Sequence, residues 1–415
     1  MGDLKQLFDD VAAQPAPPSR LTSADIFAAG RRRHRRWQTV RVGGGAALGV
    51  LALAGATLLM RPQAPDPRQP PATPAGAAST AAAVATGAVR FSVAADPDHL
   101  YMGRSTCADV SCKTRVWLYG SVDGGHEWTP RGGPASLAAI TAVGPETLIG
   151  VRDDTAGQTL LTSRDGGRDW TPVRDVTAPA GHVGAGRALV CAPADSAPAD
   201  GAPADGGCVP RVVDPAAGTA APLADEPSLT VAASGAGLAA VTTAPGHPDM
   251  LWLTGVTADS GAPAVARSTD AGASWDTYAF PKTGCHTGCR APQVVAGADG
   301  VAYATVGDRV YRSTGSDTGS GTGSGARSWA LVGSVGREPA WSFVLGDGRQ
   351  VLAVNGPDGW TFVSRSGGTF RDARITGLPD RVAPVRRTAD GWFYTVDDEA
   401  GRWYGSADGL TWAAL

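Results

Sequence analysis

The sequence has few charged side chains and no long segment with helical periodicity. Only 18% of its 415 residues are charged, whereas it contains 56 glycines and 31 prolines. Both residues are unfavourable inside helices, so this composition argues against a helical protein. Short strand-like runs such as VRFSVAA, HLYMGR and RVWLYG, separated by Gly, Asp and Pro turns, instead predict an all-β fold.

Basic residues are scarce outside the first 61 residues. That segment holds nine of the 36 Arg and Lys residues against four Asp, so the remainder of the chain carries a net charge of −8. A mildly acidic body does not attract a phosphate backbone, and no nucleic-acid partner is expected.

One apolar run is long enough to span a bilayer. It is VGGGAALGVLALAGATLLM at 42–60, and the basic cluster RRRHRRWQTVR precedes it. The positive-inside rule then predicts a cytoplasmic basic head (1–41), a single-pass transmembrane helix acting as a signal anchor (42–60), and an extracytoplasmic remainder at the cell membrane. A cleaved signal peptide is the alternative, but about forty residues precede the run and no A-x-A site closes it cleanly.

The segment after the apolar run has no apolar periodicity. Residues 61–87 are rich in Pro, Ala and Thr, a composition typical of an extended, disordered stalk. We therefore expect the folded extracytoplasmic domain to comprise residues 88–415.

Only six cysteines are present, and all follow the predicted membrane span. They form three close pairs, Cys107/Cys112, Cys191/Cys208 and Cys285/Cys289. An even number of cysteines in an exported domain favours disulfides, each closing a local loop. Zinc is the alternative, but only His286 lies among the cysteines and the pairs are separate, so neither a metal nor a cofactor is expected.

Nearly the same ten residues occur three times. The segments are SVDGGHEWTP (121–130), SRDGGRDWTP (163–172) and STDAGASWDT (268–277), which share S-x-D-x-G-x-x-W. The pattern is typical of a hairpin turn: Ser and Asp bond to local backbone, Gly takes a positive φ, and Trp packs beneath. SADGLTW (406–412) is a form one residue shorter. The structural positions predicted are Ser121, Asp123, Gly125, Trp128, Ser163, Asp165, Gly167, Trp170, Ser268, Asp270, Gly272, Trp275, Ser406, Asp408 and Trp412.

Degenerate copies complete the series. One is divided between Arg312–Thr314 and Ala326–Trp329, and SRSGGTF (364–370) has Ser366 in place of the Asp. The six starting serines are 42, 105, 45, 51 and 42 residues apart, so one unit, which would contain Cys191 and Cys208, lacks the motif. Units of 40–50 residues with about four strands each are β-propeller blades, and seven are predicted.

The pattern resembles the Asp-box, or bacterial neuraminidase repeat. The resemblance covers the predicted propeller and implies turns at the blade periphery, away from any central site. The family includes sialidases, xyloglucanases, sortilin-type receptors and photosynthetic assembly factors, so it implies a fold without choosing between catalysis and binding.

The signatures of catalysis are missing. Sialidases have a Phe/Tyr-Arg-Ile-Pro motif, an arginine cluster, a Tyr–Glu pair and an Asp acid/base, but VRFSV (89–93) has Phe91 and Ser92 after Arg90. Neither G-x-S-x-G nor the D-x-D-x-D-G spacing of a calcium loop occurs, and a xyloglucanase-type cleft needs two propellers. The remaining candidates for a sialidase site are Arg386, Arg387, Tyr394, Tyr404, Glu127, Glu146, Glu226, Glu338 and Glu399.

These observations favour a non-catalytic binding or assembly module whose partner is an extracytoplasmic protein or glycan. No catalytic residue is assigned. The first alternative is an exo-α-sialidase-like glycoside hydrolase, and the second is a transmembrane sensor that signals to the head. Six tryptophans outside the repeats, which could line a pocket or pack between blades, are Trp117, Trp252, Trp341, Trp360, Trp392 and Trp403.

Overall fold

The part of the chain that the structure describes is built from strands. This computed structural model describes residues 87–105, 116–132, 136–154, 157–193, 207–232, 241–281, 290–314, 328–357, 359–366, 368–397 and 400–415. No helix occurs in these ranges, which confirms the all-β prediction for them. The predicted head, membrane span and stalk up to residue 86 lie outside them, as do Cys107, Cys112, Cys285 and Cys289. Within the described ranges no helix is long and apolar enough to cross a membrane.

Five antiparallel sheets have four strands each, paired in chain order. Sheet I contains β1 (Val89–Ala94), β2 (Leu100–Ser105), β3 (Val116–Ser121) and β4 (Thr129–Pro130). Sheet II contains β5 (Leu137–Ala142), β6 (Leu148–Asp154), β7 (Gly157–Ser163) and β8 (Thr171–Pro172). In sheet I the second strand is buried along its whole length, and in both sheets the fourth strand is short and exposed.

A nine-stranded sheet, sheet III, follows sheet II. Its strands are β9 (Arg174–Asp175), β10 (Ala188–Pro193), β11 (Gly207–Asp214), β12 (Thr219–Pro222), β13 (Thr230–Ala232), β14 (Val241–Ala244), β15 (His247–Val256), β16 (Pro263–Ser268) and β17 (Asp276–Ala279). Strands β10–β12 form one antiparallel group, and β14–β17 form another. The short strand β13 joins the groups by pairing with both β11 and β15.

The last three sheets repeat the four-stranded order. Sheet IV contains β18 (Gln293–Ala296), β19 (Ala302–Val306), β20 (Arg309–Thr314) and β21 (Ser328–Ser334). Sheet V contains β22 (Trp341–Val344), β23 (Gln350–Asn355), β24 (Trp360–Ser366) and β25 (Thr369–Asp372). Sheet VI contains β26 (Arg386–Arg387), β27 (Phe393–Val396), β28 (Trp403–Ser406) and β29 (Ala413–Ala414).

The group β10–β12 explains why one repeat lacks the S-x-D pattern. Its outer strand is β9, which precedes it in the chain and runs parallel to β12. The pairing continues with a parallel bridge between Ala180 and Leu223. A parallel outer strand is not joined to its neighbour by a hairpin, so this group has no place for the hairpin turn that the pattern forms.

Apart from sheets IV and V, which Gln293 Nε2 links by donating to Ala340 O at 3.0 Å, successive sheets pack face to face through buried apolar clusters of described residues. Leu118 of sheet I packs with Leu148 of sheet II, and Val151 of sheet II with Val213 of sheet III. Phe280, after sheet III, packs with Tyr311 of sheet IV. Further along, sheet V packs against sheet VI in a cluster that includes Trp341, Phe343, Phe393 and Tyr404.

The last sheet closes onto the first. Tyr394 and Trp403 of sheet VI share a cluster with Leu100 and Met102 of sheet I. The ring of Trp128 lies 5.6 Å from that of Trp403. Sheets that follow one another in a closed succession, with the last packed on the first, form a β-propeller. All of these residues belong to one compact unit, Thr80–Leu415.

One of the three predicted disulfides lies within the described residues. Cys191 in β10 bonds to Cys208 in β11, with the Cα atoms 5.4 Å apart. Cys191 is fully buried in the apolar cluster that joins the two halves of sheet III. The bridge therefore fixes the hairpin of the group that lacks an S-x-D turn.

Replacing both cysteines, Cys191→Ala with Cys208→Ala, should destabilise the protein. The bridge closes a loop of sequence separation 17, and loops of this size contribute about 3 kcal/mol in the chain-entropy treatment. Thermal unfolding followed by circular dichroism measures the loss. Wild-type protein in reductant should approach the variant, and an unchanged melting temperature would contradict the prediction.

Candidate functional site

All four S-x-D turns lie at the same end of their own sheets. In an antiparallel sheet, the turn between the first and second strands and the turn between the third and fourth leave the same end. We call this the turn end. The S-x-D turns there are residues 121–128, 163–170, 268–275 and 406–412.

A buried serine hydroxyl organises each S-x-D turn. Ser121 Oγ donates to Asp123 Oδ1 at 2.7 Å and accepts the N–H of Gly125 at 2.8 Å. The same pair of bonds starts at Ser163 and at Ser268, with distances of 2.7–2.8 Å. Ser406 bonds to Asp408 at 3.0 Å and to the N–H of Gly409 at 2.8 Å, one residue earlier, as its shorter sequence requires.

The aspartates complete the turns as hydrogen-bond acceptors. Asp165 Oδ1 accepts the N–H groups of Arg168 and Asp169 at 3.0 and 3.1 Å. Burial acts to raise the pKa of Asp165, but the bonds from Asp169, Ser163 and Arg168 outweigh burial and lower it. The pKa values of the other three turn aspartates are lowered in the same way: Asp123, Asp270 and Asp408. These carboxylates therefore serve as ionised structural acceptors.

The glycine of the pattern has a conformation that other residues avoid. Gly125, Gly167 and Gly272 have φ values of 91°, 87° and 87°. The preceding position also has a positive φ, and in the third turn it is Ala271 at 57°. Among the described residues, Ala271 is the one non-glycine with a positive φ.

The tryptophan of each turn packs into the apolar clusters between or within sheets. Trp170 joins the cluster shared by sheets I and II, and its Nε1–H donates to Gly167 O at 3.1 Å. Trp412 joins the cluster shared by sheets V and VI and makes the same bond to Gly409 O at 3.1 Å. Trp128 lies at the seam of sheets VI and I, and Trp275 packs within sheet III. A turn tryptophan thus seals its own unit against the preceding one.

The long S-x-D turns of sheets I and II are also tied to the first turn of the same sheet. The N–H of Gly124 donates to Asp98 O at 3.1 Å, and that of Gly166 donates to Glu146 O at 2.9 Å. In sheet III the N–H of Ala271 donates to Asp249 O, near the start of β15, at 2.9 Å. In sheets I and II the two turns at this end therefore form one hydrogen-bonded unit.

Neighbouring sheets are linked at the turn end by polar side chains that sequence reasoning missed. Tyr101 Oη donates to Pro145 O in the first turn of sheet II. Tyr303 Oη donates to Gly348 O in the first turn of sheet V at 3.1 Å. Both follow a turn in similar runs, DHLY and DGVAY, and that likeness is the signal that would have identified them.

A histidine–carboxylate pair lies in the first turn of sheet I. Nδ1 of His99 is 2.9 Å from both carboxylate oxygens of Asp96. The hydrogen bond to Asp96 raises the pKa of His99 against the opposing effect of burial. Burial acts to raise the pKa of Asp96, but the bonds from His99 outweigh it and lower the pKa. Both shifts favour a charged pair.

The side chains considered for a sialidase site are engaged elsewhere. Arg386 donates to Ser92 O at 3.1 Å, and Arg387 donates to Gly391 O at 2.9 Å with its guanidinium 4.6 Å from the Phe393 ring centroid. Tyr394 is buried between the rings of Trp392 and Trp403, at 6.0 and 5.7 Å.

The remaining candidates are spread over the molecule. Arg90 is exposed on β1, and Tyr404 is buried in the cluster of sheets V and VI. Glu127, Glu146, Glu226 and Glu338 are exposed, whereas Glu399 lies outside the described residues. In the described ranges, no group of three or more His, Cys, Asp or Glu residues is arranged to hold a metal ion.

The tryptophans outside the repeats lie in the apolar clusters. Trp252, Trp341 and Trp403 are buried. Trp117, Trp360 and Trp392 are partly buried and pack against these clusters. Their burial is that of packing residues between sheets rather than of an exposed aromatic surface.

Comparisons with known proteins give structural resemblances only. No family model matches the chain, and no curated protein matches it. Among solved structures, YCF48 bound to a D1 peptide is 16% identical with a TM-score of 0.32, covering 80% of this chain and 81% of that one. An ancestral GH74 enzyme is 14% identical with a TM-score of 0.48, covering 80% and 46%, so this chain spans about half its length. The β-propeller domain of the Trilobed protease from Pyrococcus furiosus is 8% identical with a TM-score of 0.45, covering 78% and 94%. These resemblances assign no activity to this chain.

Ser163→Ala should destabilise the protein because it leaves the buried N–H of Gly167 without its acceptor. An unsatisfied buried donor costs about 1–3 kcal/mol. Ser366→Ala is the matched control, since Ser366 is exposed at the degenerate motif position and should change stability by less than about 0.5 kcal/mol. Urea unfolding compares the two, and equal losses would contradict the assigned role of Ser163.

The His99–Asp96 pair should make stability depend on pH at both ends of its charged range. Because the pKa of His99 is raised above 6.5, its contribution is complete below pH 6.5 and is lost as pH rises through the raised value. Because the pKa of Asp96 is lowered below 3.8, its contribution is present above pH 3.8 and is lost as pH falls through the lowered value.

Melting temperatures of wild type and His99→Gln across pH 3–9 test this dependence. The advantage of wild type should be largest between the two pKa values and shrink on either side. His182→Gln, which changes an exposed histidine, is the control. A wild-type advantage that stays constant with pH would contradict the charged pair.

Proposed function

We propose that this chain is a membrane-anchored, extracytoplasmic Asp-box β-propeller that acts as a non-catalytic binding or assembly module. One observation carries the proposal: the arginine and tyrosine side chains that a sialidase-type site would need are held in separate structural contacts. Arg386 and Arg387 bond to backbone carbonyls, and Tyr394 lies buried between two tryptophans. Side chains committed in this way do not converge on a substrate.

The proposed blade number is seven. Five four-stranded sheets supply one blade each. Sheet III supplies two, because β10–β12 with β9 and β14–β17 are separate groups joined through β13. This division is supported by the 105-residue interval between Ser163 and Ser268, which is about twice the usual spacing.

The proposed membrane topology rests on the sequence. Residues 1–41 form the cytoplasmic basic head, 42–60 the signal anchor, and 61–87 the stalk that holds residues 88–415 outside the cell. Oxidation of Cys191 and Cys208 supports this placement, because disulfides persist in oxidising compartments. The proposed ligand is an extracytoplasmic protein or glycan.

The enzyme alternative has its best support at the seam between sheets I and II. Tyr101 there is close enough to Glu146 and Arg131 for their charges to act on its pKa. However, Tyr101 is fully buried, burial raises its pKa, and its hydroxyl donates to Pro145 O. A nucleophilic tyrosine must reach the sugar and lose its proton readily, and this environment opposes both.

The purified protein should not hydrolyse a fluorogenic sialoside above the buffer blank. Tyr101→Phe and Tyr394→Phe should match wild type, because neither hydroxyl takes part in chemistry. A known sialidase provides the positive control for the substrate. Turnover by wild type that either variant abolishes would overturn the non-catalytic proposal.

Binding can be tested from both ends of one strand. Thr269, at the turn end of β16, and Asp259, before its other end, are exposed, so a photo-crosslinking residue at each samples opposite ends of sheet III. On intact cells, we expect a discrete adduct from one position and not from the other. Adducts from neither position, repeated with probes on sheets I and VI, would contradict the binding module.

A further inference from the structure

The seam between sheets IV and V differs from the other seams of the ring. Apolar clusters join I to II, II to III, III to IV, V to VI and VI to I. None of the clusters formed by the described residues joins IV to V. The contacts that do cross this seam include hydrogen bonds from Gln293 Nε2 to Ala340 O at 3.0 Å and from Tyr303 Oη to Gly348 O at 3.1 Å.

Polar side chains face this seam from both sides. In β19, Ala302, Ala304 and Val306 belong to the cluster with sheet III. The alternation of a strand therefore turns Tyr303 and Thr305 toward sheet V. In sheet V, Trp341, Phe343 and Val351 belong to the cluster with sheet VI.

The same alternation turns Ser342 and Gln350 toward sheet IV. Leu352 and Val344 are buried and also face the seam. Because Ser342 and Gln350 lie on the same face, these two apolar side chains form no continuous apolar surface.

Two of these buried polar groups have no hydrogen-bond partner among the described residues. They are the hydroxyl of Thr305 and the carbonyl oxygen of Gln350, and both side chains are 4% exposed. The amide nitrogen of Gln350 donates to Ser342 Oγ at 3.3 Å, so the amide is half satisfied. Unsatisfied buried groups favour any state in which water can reach them.

The turn that would seal this seam is the degenerate one. In the complete turns, the tryptophan packs toward the preceding unit. Sheet V has Phe370 at this position, and its ring lies against Gly333 of sheet IV. It also has Ser366 where the other turns have Asp, so it lacks the carboxylate that accepts the backbone N–H groups.

We propose that the ring opens locally between sheets IV and V. The weak seam lies inside the chain and not where the first and last sheets meet. At that terminal seam Trp128, Trp403 and Tyr394 pack together, and Arg104 donates to Ala400 O at 3.2 Å. Opening between IV and V hydrates the unpaired hydroxyl and carbonyl and exposes little apolar surface. Opening between VI and I would hydrate the indole N–H of Trp403, which also has no partner among the described residues, but it would expose the aromatic core of that seam.

Hydrogen exchange of the full-length protein, measured by mass spectrometry, locates the opening. Amides of β19 and β23 should exchange at least tenfold faster than those of β2 and β27, since the latter require loss of an apolar seam. Equal exchange rates in all four strands would overturn the proposal, because the ring would then open only as a whole.

A pair of identical substitutions tests the cause. Thr305→Val removes the unpaired hydroxyl and should raise the melting temperature by a few degrees and slow exchange in β19 and β23. Thr395→Val is the matched control, because the equally buried hydroxyl of Thr395 donates to Ala383 O at 2.6 Å. It should lower the melting temperature. If Thr305→Val also lowers it, the hydroxyl is satisfied in the folded protein and the proposal is wrong.

Discussion

The hydrogen bond that a glycine N–H donates to a buried serine hydroxyl in each S-x-D turn is the contact on which the ring depends. It closes the hairpin at the sheet edge around a glycine whose missing Cβ permits the positive φ, and the tryptophan follows this turn. That tryptophan then packs toward the preceding unit. A segment of eight residues thus couples the shape of a turn to the packing of two units. Repetition of this segment along the chain adds one unit after another to the ring.

The arginine and aromatic side chains of the ring serve mainly in structural contacts. Guanidinium groups that a catalytic pocket would turn toward a substrate are used here to bond backbone carbonyls between and within sheets, and the aromatic rings fill the seams. The exposed polar side chains lie in the turns. There, Asp, Glu and His side chains surround a backbone that is held by hydrogen bonds. Under the proposed binding function, recognition by turns on a stable ring requires no proton transfer or nucleophile.

The predictable part of the structure was local. The all-β fold was predicted from short strand-like runs between turn residues, and the hydrogen bonds of the S-x-D turns join residues no more than four positions apart, as at Ser121 and Gly125. The parallel pairing of β9 with β12 and the bridging by β13 join residues tens of positions apart, and no local pattern records such a register. The Tyr101 contact was missed for the same reason, because its acceptor, Pro145 O, is 44 residues away. The His99–Asp96 pair spans three residues, but no repeated pattern marks it.

The parallel strand β9 changes the order in which one unit can be assembled. In the other units the outermost strand comes last in the chain, so the sheet cannot be completed until that strand has been synthesised. Here the edge is synthesised before the strands that it covers. When β12 folds onto β11, its outer partner is already present in the chain, and the hairpin of β10 and β11 can be covered at once. The unit without an S-x-D turn is thus the one whose folding needs no residue downstream of its third strand to cover its edge.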